Sequence, residues 1–116
     1  MTKHFADFVN AQAAFGPALK NKRNSHLKNT YADLESCLEA VTDALHANGF
    51  ALMQIPKNCD TQSVTIETVF VHASGQIISG GDMRVPVIKT DPQGVGSSLS
   101  YARRYSLLAA CGIAQA

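Results

Sequence analysis

Ser97, Ser98, Ser100, Tyr101, Arg103, Arg104 and Tyr105 fall within one short run of the chain, directly behind Gln93, Gly94 and Gly96. Adjacent guanidiniums attract phosphate, and phenol rings offer flat faces to a planar ligand. After Gly96 the chain has neither Gly nor Pro until Gly112. This predicts a loop handing over to a helix: Gly94 and Gly96 allow a tight turn, the serines cap free N–H groups, and Gly112 stands where a left-handed terminal residue is expected. At roughly 100° per residue, Tyr101, Ala102, Tyr105, Leu108 and Ala109 share one arc, while Ser100, Arg103 and Arg104 take the other. The first arc is expected to pack and the second to be displayed. Two displayed cations near a helix N-terminus favour phosphate, so Arg103 and Arg104 are the leading candidates to contact a nucleic-acid backbone. Tyr101 and Tyr105 are expected mainly to pack, with base stacking as their alternative role.

The overall charge narrows where further cations can act. With ten Lys and Arg against nine Asp and Glu, the formal net charge is +1, which excludes a generally basic coat. Any basic surface must come from segregation. Lys20, Lys22, Arg23 and Lys28 lie between Asp7 and Asp33 with no acid among them, whereas Glu35, Glu39 and Asp43 follow at once. These four basic residues are candidate secondary contacts to phosphate. The acidic row is expected to be solvated or to meet basic residues of a neighbouring copy.

The elements that must position these groups can be read in turn. Residues 2–15 place Phe5, Phe8, Val9 and Phe15 at helical spacing, with Thr2 as cap and Gly16-Pro17 as stop. This helix is expected to pack on the core and partly on a neighbouring subunit. Residues 20–30, basic and rich in Asn, read as a loop. A second helix is expected from residue 30 or 31 to 48, with Leu34, Leu38, Val41 and Leu45 on its apolar stripe and Gly49 as terminator. Residues 50–56, 63–72 and 76–87 read as strands of a meander. Val64, Ile66 and Phe70 alternate with Thr65 and Glu67, giving one buried face, while Val69 and Val71 predict cover on both faces at that end, by a helix or a partner. Gly80-Gly81 marks a bulge or bend, and residues 89–92 a polar connection. The predicted class is α+β, an antiparallel three-stranded meander with helices, forming one domain over residues 1–116.

Enzymatic readings lack their reactive groups. Residues 94–98 carry neither the Lys of a P-loop nor the third Gly of a dinucleotide fingerprint, and they do not form a hydrolase elbow. His4, His26, His46 and His72 have unrelated spacings, and Asp82 and Asp91 have no partner carboxylate, so neither a metal nor any other cofactor is expected. Cys37, Cys59 and Cys111 are odd in number and widely spaced, as in a reducing compartment. No stretch is apolar and long enough to cross a membrane, and Met1 to Phe5 lack the core of a secretory signal, so the expected location is the cytoplasm.

The same run that carries the arginines resembles a known family. Gln93, Gly94, Gly96-Ser97 and then Ser100-Tyr101-Ala102-Arg103-Arg104-Tyr105, with Leu107-Leu108, are similar to the signature of the ERF (essential recombination function) family of phage-type single-strand annealing proteins. The likeness continues in Tyr31-Ala32-Asp33-Leu34, Gly49-Phe50-Ala51-Leu52 and Val71-His72-Ala73-Ser74-Gly75. It implies a β-β-β-α core shared with ring-forming annealing proteins and a basic, Asn-rich segment before Tyr31. It implies rings or filaments of copies on single-stranded DNA, and ATP-independent homologous recombination in a bacterial host. Implied partners are a phage exonuclease or a host replication protein, with no membrane. Two other classes make different predictions: a small phosphate- or nucleotide-binding enzyme using residues 94–98 as a cradle, and a purely structural self-assembling protein.

Overall fold

In the computed structural model, which describes residues 2–24 and 29–116, the elements run α1 (Lys3–Ala13), β1 (Lys22–Asn24), β2 (Asn29–Tyr31), α2 (Leu34–Glu39), α3 (Thr42–Ala47), β3 (Phe50–Lys57), β4 (Ser63–His72), β5 (Ile77–Pro86) and α4 (Pro92–Cys111). β3, β4 and β5 form the expected antiparallel meander, an α+β arrangement with Phe50 opposite His72 and Val71 opposite Ile77. Side chains alternate along a strand, and Val64, Ile66, Thr68, Phe70 and His72 of β4 are all buried toward the helices. Phe8 of α1 meets Phe70 and Phe50 edge-on, with ring centres 4.9 and 5.8 Å apart. Val41, Leu45, Leu107 and Cys111 complete that core, and Val64, Ile66, Val85 and Ala102 form a second cluster.

No helix among the described residues covers the second face of the sheet at Val69 and Val71, which leaves a partner as the expected cover there. The two valines lie in register with Met53, Ser79, Ala51 and Ile77 on the face opposite the helices, where Met53 and Ile77 remain largely exposed. Val69 is buried because β4 is the central strand. Across the sheet, Gly80-Gly81 forms the expected bulge: the register shifts between Glu67 and Val69, and Gly81 takes a φ of 89°. The bulge also lets α4 come close. A methyl group on Gly80 would collide with Ala110.

Two predicted elements differ. Residues 20–30 contain a ribbon rather than a plain loop, with Lys22 opposite Tyr31 and Arg23 opposite Thr30. Its strands are only three residues each, too short for alternation to show in the sequence. The single helix expected to residue 48 is broken at Val41, which has a non-helical φ of −126°. Thr42 Oγ1 donates back to the Leu38 carbonyl at 2.6 Å and the Gly16 N–H to that of Ala40 at 3.1 Å, so the break leaves these carbonyls satisfied. The bend directs Val41 and Leu45 together into the core.

Candidate nucleic-acid interface

α4 begins earlier than its glycines and serines suggest. Asp91, not a serine, is the cap: its Oδ1 accepts the Gly94 N–H at 2.7 Å, and Pro92 occupies the first turn. Residues 94–98 are therefore helical and form no turn. A carboxylate already sits where an anion would bind the helix end and repels one, which removes the geometric basis for a phosphate cradle there.

The packing seam of α4 is also rotated from the expected one. Gly94, Ser98, Ala102 and Ser106, spaced by four, are buried, Gly94 against Lys89 of the preceding connection and the other three against the sheet. Ser106 and Thr68 share a 2.6 Å hydroxyl hydrogen bond, and Ser98 donates to the Pro86 carbonyl at 3.4 Å. Small residues allow close approach and the sheet satisfies their hydroxyls. As a result Tyr101 is 48% exposed, Ala109 is exposed, and Tyr105, Arg103 and Arg104 are half-buried. Tyr101 and Ala109 thus depart from the packing arc, and the arginines from full display.

The two arginines do not form one site. Arg103 Nε donates to Gln54 Oε1 at 3.0 Å while Gln54 Nε2 returns a 2.9 Å bond to the Arg103 carbonyl, and the side chain lines a groove with Glu35, Glu39 and Asp43. Arg104 turns the other way. One terminal nitrogen donates to the Ala32 carbonyl at 3.2 Å, and the guanidinium carbon lies 4.9, 5.4 and 5.6 Å from the ring centres of Tyr31, Tyr105 and Tyr101. Such cation–π contacts contribute roughly 0.5–1 kcal/mol each at exposed sites. Tyr101 and Tyr105 themselves stack obliquely at 4.5 Å.

Arg104, Tyr31 and Tyr101 border a groove of about 820 Å³ between α4 and the start of α2, reached also by Asp33, Glu35 and Ser100. The ribbon places one more cation beside it. Directly opposed residues of an antiparallel pair project to the same face, so Lys22 accompanies Tyr31 while Arg23 and Thr30 project to the other side. Lys20 is exposed next to the ribbon, where residue 18 bridges to Gln115. Lys28 lies outside the described residues. Of the expected contacts, the fold gathers Arg104 and Tyr101 at one groove, sets Lys22 on the Tyr31 face of the ribbon, and separates Arg103 and Arg23 from them.

Compared with known protein families, residues 5–116 match the ERF superfamily. The chain belongs to that superfamily. No curated protein and no solved structure matches it. Membership places this ERF chain among recombination and strand-annealing proteins, a family whose members are generally not catalytic.

The ERF motif at residues 31–34 has a physical reading that its sequence alone does not disclose. Tyr31 faces Arg104, the buried Ala32 accepts from Arg104 and receives the Gln115 side chain on its N–H at 2.7 Å, and Asp33 caps α2 through the Ser36 N–H at 2.9 Å. The Ser36 N–H, then Asn21, holds the Asp33 carboxyl below its ordinary value. Tyr31 is the site residue that sequence reasoning misses. Its signal is the motif itself, ahead of a helix that needs only a cap.

A separate polar chain in this ERF protein is structural. Ser74 donates its N–H to His72 Nδ1 at 3.2 Å, so Nε2 carries the proton and donates to Asp7 Oδ2 at 2.7 Å, clasping α1 to β4. Ser74 Oγ is tied into the hairpin by the Gln76 N–H at 3.4 Å. Burial pushes the Cys111 thiol up to about 12 and raises that of Cys37, which leaves both poor nucleophiles. Among the described residues no His, Cys, Asp and Glu group is placed to hold a metal, and no helix is long and apolar enough to cross a membrane.

Proposed function

We propose that this domain binds single-stranded DNA and promotes ATP-independent annealing in homologous recombination, acting as a ring or filament of copies. The observation that carries the reading is the convergence of Arg104, Tyr31 and Tyr101 with Lys22 on one groove of an ERF-superfamily chain. Lys22 beside the groove neutralises phosphate and the flat rings receive bases, the two requirements of a sequence-tolerant single-strand binder. Lys20 and Arg23 add charge along the ribbon, Lys28 stays a candidate contact from the sequence alone, and Arg103 serves the packing of α4 on Gln54. Annealing is downhill once strand repulsion is removed, so no nucleotide is hydrolysed and no catalytic group or cofactor is needed. Repeated copies hold one strand extended, and multivalent contact raises affinity with strand length. The setting proposed is the cytoplasm of a bacterial host, with a phage exonuclease or a host replication protein as partner.

The test is a titration with oligonucleotides of increasing length, coupled to sizing of the complexes. Affinity is expected to climb with length. Lys22→Ala is expected to weaken binding and to lower the salt slope by about one unit for every phosphate that is no longer neutralised, and Arg104→Ala to weaken binding by releasing Tyr31 and Tyr101. A folded protein that ignores unpaired DNA of every length overturns the reading.

A further inference from the structure

The groove beside Arg104 is a poor seat for phosphate. Its lining sets two carboxylates, Asp33 and Glu35, against one guanidinium, and that guanidinium already donates to the Ala32 carbonyl and is flanked by three rings. The hydrogen bonds that Asp33 accepts from Ser36 and Asn21 both fall on Oδ1. These same bonds keep the carboxyl ionised, and Glu35 is exposed. Tyr101, nearly half exposed, leaves ring surface free, and Tyr31 also lines the groove. An uncharged planar ring fits this environment. One that also offers N–H donors at its edge fits it best, because a carboxylate accepts from an exocyclic amine and repels a carbonyl.

Resting on the annealing reading above, we propose that the groove takes one unpaired nucleobase per copy, stacked on Tyr101 and Tyr31, and that Asp33 and Glu35 favour bases bearing an exocyclic amine over thymine. The phosphates stay at the rim, beside Lys22. Neighbouring bases remain free to pair, so the strand is anchored at intervals and legible between them. The preference is opposite in kind to a backbone-only binder, for which base identity is nearly irrelevant.

The test compares dC, dT and fully abasic 20-mers by fluorescence anisotropy at one salt concentration, using the full chain. The unmodified protein is expected to bind dC about fivefold to tenfold more tightly than dT, the scale of one good base-edge contact, and the abasic strand more weakly than either. Replacing Glu35 by Gln together with Asp33 by Asn, which keeps a capping side chain, is expected to erase the dC preference without weakening dT binding. Tyr101→Ala is expected to weaken both base-bearing strands and leave the abasic one unchanged. Equal affinity for dC and dT, or an abasic strand held as tightly as they are, overturns the inference while leaving single-strand binding intact. Loss of binding to all three strands by a folded protein overturns both.

Discussion

His72 and Asp7 fasten α1 to the sheet through one 2.7 Å hydrogen bond, and Lys3 adds a 3.2 Å contact to the same carboxylate. His72, then Lys3, holds the Asp7 carboxyl below its ordinary value. A carboxyl depressed in the folded state binds protons more readily when unfolded, so its stabilisation is complete above the ordinary carboxylate range and is lost as pH falls through the depressed value. The difference in urea midpoint between the unmodified protein and Asp7→Asn is therefore expected to be flat above about pH 5 and to shrink below about pH 4; a difference that stays constant down to pH 2 refutes the clasp. None of this chain of groups is legible in the sequence, because its members are far apart there and His72 looks like an isolated histidine. Arg104 is legible as a functional candidate from its neighbours in the run. That it parts company with Arg103 depends on Ala32, seventy-two residues away, whose position only the fold supplies.

Between elements, the approach of α4 to β5 rests on Gly80. A methyl there meets Ala110 and lies 3.2 Å from the Thr68 carbonyl, and neither backbone can retreat without opening the core around Leu107 and Leu108. Gly80→Ala is expected to lower stability by about 1–3 kcal/mol, the usual range for overpacking. Adding Ala110→Gly removes the facing methyl and is expected to recover part of that loss despite costing about 1 kcal/mol of helix propensity by itself. Urea unfolding of the two single variants and the double one measures the coupling, and strictly additive losses would show that the two sites do not touch. The strands and the bulge are readable because β-branched residues alternate and paired glycines interrupt them. The faces of α4 come out rotated in the sequence, since Ser98 and Ser106 look solvent-facing until a sheet is there to pair with their hydroxyls. The break at Val41 is invisible for a related reason: both halves keep helical spacing, and tertiary contacts decide where the chain bends.

At the scale of the whole molecule the described residues form a slab of 45 × 31 × 16 Å, two layers thick, with all helices on one side of the sheet. A slab so thin buries little, and it leaves Phe5 and Val9 of α1 56% and 65% exposed, one helical turn apart on the flank of Phe8. If copies line up along a strand, these two side chains are the surface that a neighbour covers most profitably, because they are apolar and close together. Removing α1 altogether would not test this, since Phe8 is part of the core and Asp7 holds His72. Replacing Phe5 and Val9 by Ser leaves those contacts in place. The double variant is expected to keep its urea midpoint and its affinity for oligonucleotides short enough to occupy one copy. Its particle size by light scattering should fall, and with it the rise of affinity with strand length, because that rise comes from linked copies and not from the groove. An unchanged particle size would assign assembly to another surface. Loss of short-oligonucleotide affinity with assembly intact would instead tie α1 to the groove.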